Sequence, residues 1–124
     1  MVRVLIVEDQ TIFREELKKR LRDHFPSMVV EEAGDGDEAW QKISRTPPQI
    51  IFMDIRLPGV NGLQLTRQIK EKFPEILIAV LTDYDFPEYR EAALQFGAER
   101  FLVKTSFNWD EVVALMGSNP PIAA

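Results

Sequence analysis

Four apolar runs of this chain end in side chains that can do chemistry: Glu8-Asp9, Asp54, Thr82 and Lys104. The runs are residues 2–7, 50–53, 76–81 and 101–103. Three carboxylates gathered in one pocket repel one another and make a site for a hard divalent cation. Mg2+ suits such a site, because it accepts one or two carboxylates and keeps waters or phosphate oxygens as its other ligands. A carboxylate nucleophile, a metal, an ammonium and a hydroxyl together meet the needs of phosphoryl transfer. Singly, each residue has a plainer reading. Glu8-Asp9 can cap the helix that follows, Asp54 can cap the next turn, Thr82 can be a turn residue and Lys104 a solvated strand end. The order and placement of all four favours the chemical reading.

The elements that must position them follow from periodicity. Ile50-Ile51-Phe52-Met53 reads as a strand buried on both faces, and Pro58-Gly59 reads as a turn. Residues 2–7 form a first strand, after which Phe13, Leu17 and Leu21 recur at helical spacing until Phe25-Pro26. Met28-Val29-Val30 is a short second strand, and the Gly34-Asp35-Gly36-Asp37 turn leads to a helix with Ala39, Trp40 and Ile43 on one face. Asn61 is placed to cap a helix bearing Leu65, Ile69 and Phe73, closed by Pro74.

After the apolar run 76–81, Pro87 suits the first turn of a fourth helix with Tyr89, Ala92, Ala93 and Phe96 inward, and Gly97 ends it. Phe101-Leu102-Val103 is a fifth short strand. A last helix presents Trp109, Val112, Val113 and Met116 inward, and Asn108 and Glu111 have capping-box spacing. Strand and helix alternate five times with short connections, the pattern of an α/β parallel sheet covered by helices on both faces. All strands of such a sheet point one way, so their C-terminal residues collect along one edge.

At 124 residues the chain fits one domain, 1–117, with 118–124 expected to be a linker or truncated end. Twenty acidic against 15 basic residues argue against direct nucleic-acid binding through a broad basic face. With no cysteine there is neither a disulfide framework nor a thiolate metal site. The N-terminal apolar run is too short for a signal peptide or a membrane span, so a cytoplasmic protein with no membrane contact is expected.

The chain resembles the receiver domain of bacterial two-component response regulators from about residue 2 to 116. The resemblance rests on Glu8-Asp9, on Met53-Asp54-Ile55-Arg56-Leu57-Pro58-Gly59 with Gly62 after it, on Leu81-Thr82 and on Phe101-Leu102-Val103-Lys104. It implies a doubly wound, flavodoxin-like (βα)5 fold with a five-stranded parallel sheet in the order 2-1-3-4-5. It implies that Asp54 is the phospho-acceptor, served by the histidine of a sensor kinase or a phosphotransfer protein. Asp9 and Asp54 are then direct Mg2+ ligands, Glu8 acts on the metal through water, and the main-chain carbonyl of Arg56 adds a ligand. Lys104 pairs with a phosphoryl oxygen, Thr82 turns its hydroxyl to another, and Phe101 is the switch aromatic, expected to turn inward as Thr82 moves.

Residues Gln10 to Arg14 and Asp83-Tyr84-Asp85-Phe86 resemble receivers joined to a LuxR-type helix-turn-helix, which implies a DNA-binding effector beyond this chain. A homodimer through the last two helices is compatible with the pattern.

Three positions depart from the family pattern. Thr105 stands where proline often follows the lysine, Asp83 stands where a small residue often follows the threonine, and Phe101 lacks a tyrosine's hydroxyl. Turnover of external substrates is not expected, because a haloacid-dehalogenase-type phosphatase needs D-x-D at the nucleophile and Arg56 occupies the second position. A pseudo-receiver that keeps the fold without the chemistry is the alternative. A flavodoxin-like cofactor binder is set aside, because no glycine-rich phosphate loop follows the first strand.

Overall fold

In the computed structural model, which describes residues 2–117, the apolar runs become strands and the amphipathic segments become helices. The elements are β1 (Arg3–Val7), α1 (Thr11–His24), β2 (Val29–Ala33), α2 (Gly36–Arg45), β3 (Ile50–Asp54), β4 (Arg56–Leu57), β5 (Val60–Asn61), α3 (Gly62–Lys72), β6 (Leu77–Thr82), α4 (Pro87–Gln95), β7 (Arg100–Val103) and α5 (Trp109–Gly117). The expected linker at 118–124 lies outside the described residues.

The five main strands pair in parallel in the order β2-β1-β3-β6-β7. With the short hairpin β4–β5 left uncounted, this is the 2-1-3-4-5 order of the doubly wound fold, as expected. β3 sits in the middle of the sheet, and all its residues are buried. Strand side chains alternate between faces, and this alternation divides the core in two. Leu5, Val7, Ile51, Met53, Ile78 and Val80 pack with α2, α3 and α4 on one face. Val4, Ile6, Ile50, Phe52, Ala79 and Leu81 pack with Leu17 and Leu21 of α1 and Val112, Leu115 and Met116 of α5 on the other.

The helix starts follow local chemistry. Asp35 caps α2 by accepting from the Glu38 N–H, Asn61 caps α3 by accepting from the Leu63 N–H, and Pro87 opens α4.

The structure changes three readings and sharpens a fourth, the turn at Pro58-Gly59. β2 continues past Val30 through Glu31 and Glu32 to Ala33. These glutamates are tolerated in an edge strand because Arg3 meets Glu31 at 2.7 Å and Lys18 meets Glu32 at 3.0 Å. The Pro58-Gly59 turn closes a two-residue hairpin, with Gly59 at φ 76 as the third position of a type II turn requires.

On α5 the inward residue is Leu115, 1% exposed, while Val113 is 42% exposed. The helix docks through Val112, Leu115 and Met116, a stripe rotated from the expected one. Asn108 caps α5, but its side chain accepts from the Asp110 N–H, and the Glu111 N–H goes to the Asn108 carbonyl. The expected bond from the Asn108 side chain to the Glu111 N–H is therefore replaced.

Candidate phosphoryl-acceptor and metal site

Each functional group is held by the sheet's own hydrogen bonds. Beyond β1, the Glu8 N–H donates to the Ala33 carbonyl at 2.9 Å, and beyond β7 the Lys104 N–H donates to the Thr82 carbonyl at 2.8 Å. The ladder therefore runs one residue past both strands and fixes where Glu8 and Lys104 leave the sheet. Asp54 ends β3 and is paired in register with Leu81. Behind it, a Cβ on Gly62 would lie 1.8 Å from the Asp54 carbonyl oxygen, so only glycine lets α3 start this close to Asp54.

Neighbouring strands β1 and β3 bring Glu8, Asp9 and Asp54 together, with one carboxylate oxygen of each within 4.8 Å of the others. Lys104 reaches across β6. Its Nζ bonds Glu8 Oε1 and lies 3.3 Å from Asp54 Oδ1, 3.3 Å from Gln10 Oε1 and 3.9 Å from Asp83 Oδ2. The ring of Phe13 lies 5.1 Å from the same ammonium. Glu8 and Asp54 are both buried, Asp9 is exposed, and the pocket therefore opens to solvent on the Asp9 side.

The electrostatics follow from crowding and dryness. Burial, then the hydrogen bond and charge of Asp54, push the Glu8 carboxyl up to about 8 against the pull of Lys104. Burial also raises Asp54, with its bond to Asp9 acting in the same direction, while Glu8 and Lys104 oppose it. The two carboxyls share one dry site, and burial is the largest cause of the upward shift of both. Burial pulls the Lys104 ammonium down, but Glu8, Asp54 and Asp83 outweigh it and hold it above the usual lysine range.

The donor set fits a hard divalent cation. It is all oxygen, which disfavours metals that seek sulfur or imidazole. Glu8 Oε2 is buried with no hydrogen-bond partner among the described residues, an orphan that a positive charge or its water would satisfy.

The Thr82 hydroxyl and the Phe101 ring are engaged outside this cluster. The Thr82 hydroxyl, buried, is engaged by the Tyr84 main chain, accepting from its N–H at 3.1 Å and donating to its carbonyl at 3.2 Å. The side chain of Arg56, whose expected role falls to its main-chain carbonyl, is exposed, with its guanidinium 4.8 Å from the Tyr84 ring centroid. Phe101 is 8% exposed, with the Arg90 guanidinium over its ring, Cζ 4.6 Å from the centroid. Sequence reasoning missed Gln10, Phe13 and Arg14 as neighbours of the site. Arg14 Nη1 donates to the Glu8 carbonyl at 2.6 Å, and the only signal in the sequence was a basic residue in the first turns of the helix that follows the acidic pair.

The comparisons agree with this geometry. The family model described as "Response regulator receiver domain" matches residues 4–116. The oxygen regulatory protein NreC of Staphylococcus haemolyticus is 35% identical over 106 residues, 85% of this chain and 49% of that protein. The chain thus spans about half the length of the curated relatives it matches. A LuxR-family two-component response regulator from Aurantimonas sp. SI85-9A1 superposes with a TM-score of 0.81 at 30% identity, covering 99% of this chain and 93% of that one. The response regulator TrrA of Thermotoga maritima, solved in complex with Mg(2+)-BeF, gives a TM-score of 0.82 at 31% identity, covering 95% and 98%. The family match, the doubly wound sheet and the carboxylate–lysine cluster at its edge converge: this chain belongs to the response regulator receiver domain family of two-component systems.

Proposed function

We propose that this receiver accepts a phosphoryl group on Asp54 in a Mg2+-dependent reaction, taking it from the phosphohistidine of a sensor kinase or phosphotransfer protein. The observation that carries the reading is the placement of the Lys104 ammonium 3.3 Å from Asp54 Oδ1, in a pocket where three carboxylates converge. An Asp54 carboxylate oxygen attacks phosphorus, the bond from phosphorus to the donor imidazole nitrogen breaks, and the imidazole keeps the electron pair and takes a proton. Lys104 then pairs with a phosphoryl oxygen, and the Thr82 hydroxyl, freed from Tyr84, donates to another.

The carboxylates of Asp9 and Asp54 would hold the metal, with Glu8 acting through water and the main-chain carbonyl of Arg56 as a further ligand. Mg2+, when bound, neutralises the acidic cluster and draws charge from the phosphoryl oxygens. The new charge on Asp54 is read out through Thr82 and Phe101 as a change in the surface formed by α4, β7 and α5. A DNA-binding effector outside this chain is the output the LuxR-family likeness favours, in a cytoplasmic setting and without turnover of external substrates. Among the described residues, no helix is long and apolar enough to cross a membrane.

Intact-mass analysis after incubation with acetyl phosphate tests the reading. Wild type gains one phosphoryl mass with Mg2+ and none with EDTA, and Asp54→Asn gains none in either. Labelling that ignores Mg2+, or equal labelling of Asp54→Asn, sinks it.

A further inference from the structure

The loop from Thr82 into α4 carries contacts that phosphoryl chemistry does not require. Thr82 is tied to the Tyr84 backbone, and the next residue, Asp85, pairs through Oδ1 with Arg90 Nη2 at 2.9 Å. Arg90, on α4, also lays its guanidinium over the ring of Phe101, with Cζ 4.6 Å from the centroid. Thr82, Tyr84, Asp85, Arg90 and Phe101 therefore form one connected series from the acceptor's edge of the sheet to the switch ring.

A phenylalanine has no hydroxyl by which its position can be tied to a partner, which leaves packing to set its rotamer. The guanidinium supplies the missing polar handle, because it is attracted at once to the ring's face and to a carboxylate. The contact is directional in sequence. Asp85 lies in the loop that must rearrange if Thr82 is to leave Tyr84, while Phe101 lies on β7, paired in register with Val80 of β6. Arg90 is the side chain that touches both.

We propose that Arg90 is a positioning residue that ties the ring of Phe101 to the Thr82 loop and holds both in the arrangement seen here. The inference rests on the reading of Asp54 as phosphoryl acceptor and names a regulator of that switch. While Thr82 is bonded to Tyr84 its hydroxyl is unavailable to a phosphoryl oxygen, so activation works against this clasp. An exposed ion pair and a half-exposed cation–ring contact are each weak, and together they bias the equilibrium by about fivefold.

The test is an NMR titration of the 124-residue chain with beryllofluoride in Mg2+, following the Thr82 methyl group, the Phe101 ring and the amides beside Asp54. In wild type all three move together. Arg90→Leu, which keeps aliphatic cover and loses the charge, lowers the beryllofluoride midpoint about fivefold. Asp85→Asn moves it the same way by less, and Arg90→Lys restores most of the wild-type value. An unchanged or raised midpoint in Arg90→Leu overturns the inference, and so does an equal shift in Arg90→Lys, which would make shape and not charge the cause. If the amides beside Asp54 respond in wild type while Thr82 and Phe101 do not, the clasp fails and the acceptor reading stands. If none of the three responds, both fall.

Discussion

Two neighbouring regions at one edge of the sheet are held by opposite means. In the carboxylate pocket the side chains of Glu8, Lys104 and Asp54 are 0%, 3% and 5% exposed, and the strand ladder fixes their backbones. In the loop after Thr82, Tyr84 and Phe86 are 40% and 44% exposed and are held by stacking on each other, with Arg56 over Tyr84 and Arg90 on Asp85. A buried charge that loses its partner costs several kcal/mol, whereas an exposed ion pair or ring contact contributes about 1 kcal/mol or less. The pocket is therefore the fixed part of the device and the loop the part that can change state cheaply.

The largest expected effect comes from removing the cation that serves the pocket. Lys104→Met leaves the buried carboxylate charge without its cation, and should cost about 3–5 kcal/mol of metal-free stability at pH 7 in urea unfolding. A loss below about 1 kcal/mol would mean water already screens these charges, and the contrast between dry pocket and wet loop would go.

Glu8→Gln sharpens the same contrast with the opposite sign. Because the folded Glu8 carboxyl is raised from 4.5 to about 8, the folded state holds a proton that the unfolded chain releases. Its contribution is full below the unfolded value and is lost as pH rises from 4.5 through about 8. Metal-free wild type should weaken over that window while Glu8→Gln stays flatter, the variant gaining on the order of 2 kcal/mol at the alkaline end. Parallel stability curves for the two proteins would show that Glu8 is ionised throughout, paired to Lys104.

The smallest effect belongs to the loop. Arg56→Ala removes the cation from the Tyr84 ring and should lower stability by at most about 1 kcal/mol. A larger loss in thermal unfolding would place the loop with the fixed part of the molecule.

Much of this was legible beforehand because the determinants were local. Buried parallel strands need continuous apolar runs, and residues 50–53 and 76–81 supply them whatever surrounds them. Asn61 and Pro87 cap and open their helices through contacts a few residues long. The misses share one cause. Glu31 and Glu32 looked like the end of a strand until Arg3, Arg14 and Lys18 were folded against them. Val113 and Leu115 are both apolar and two residues apart, so only docking against the sheet decides which is covered. Gln10, Phe13 and Arg14 joined the site because α1 starts beside it, a placement that periodicity does not report.

By itself the sequence determined which residues end the strands and which chemical groups stand there, because side-chain alternation and turn chemistry act over a few residues. The tertiary structure alone decided that Lys104 crosses β6 to reach Glu8 and Asp54, and that Thr82 faces Tyr84 instead. Strand order sets which groups converge, and it is settled by how helices pack over both faces of the sheet at once, which is a property of the whole chain.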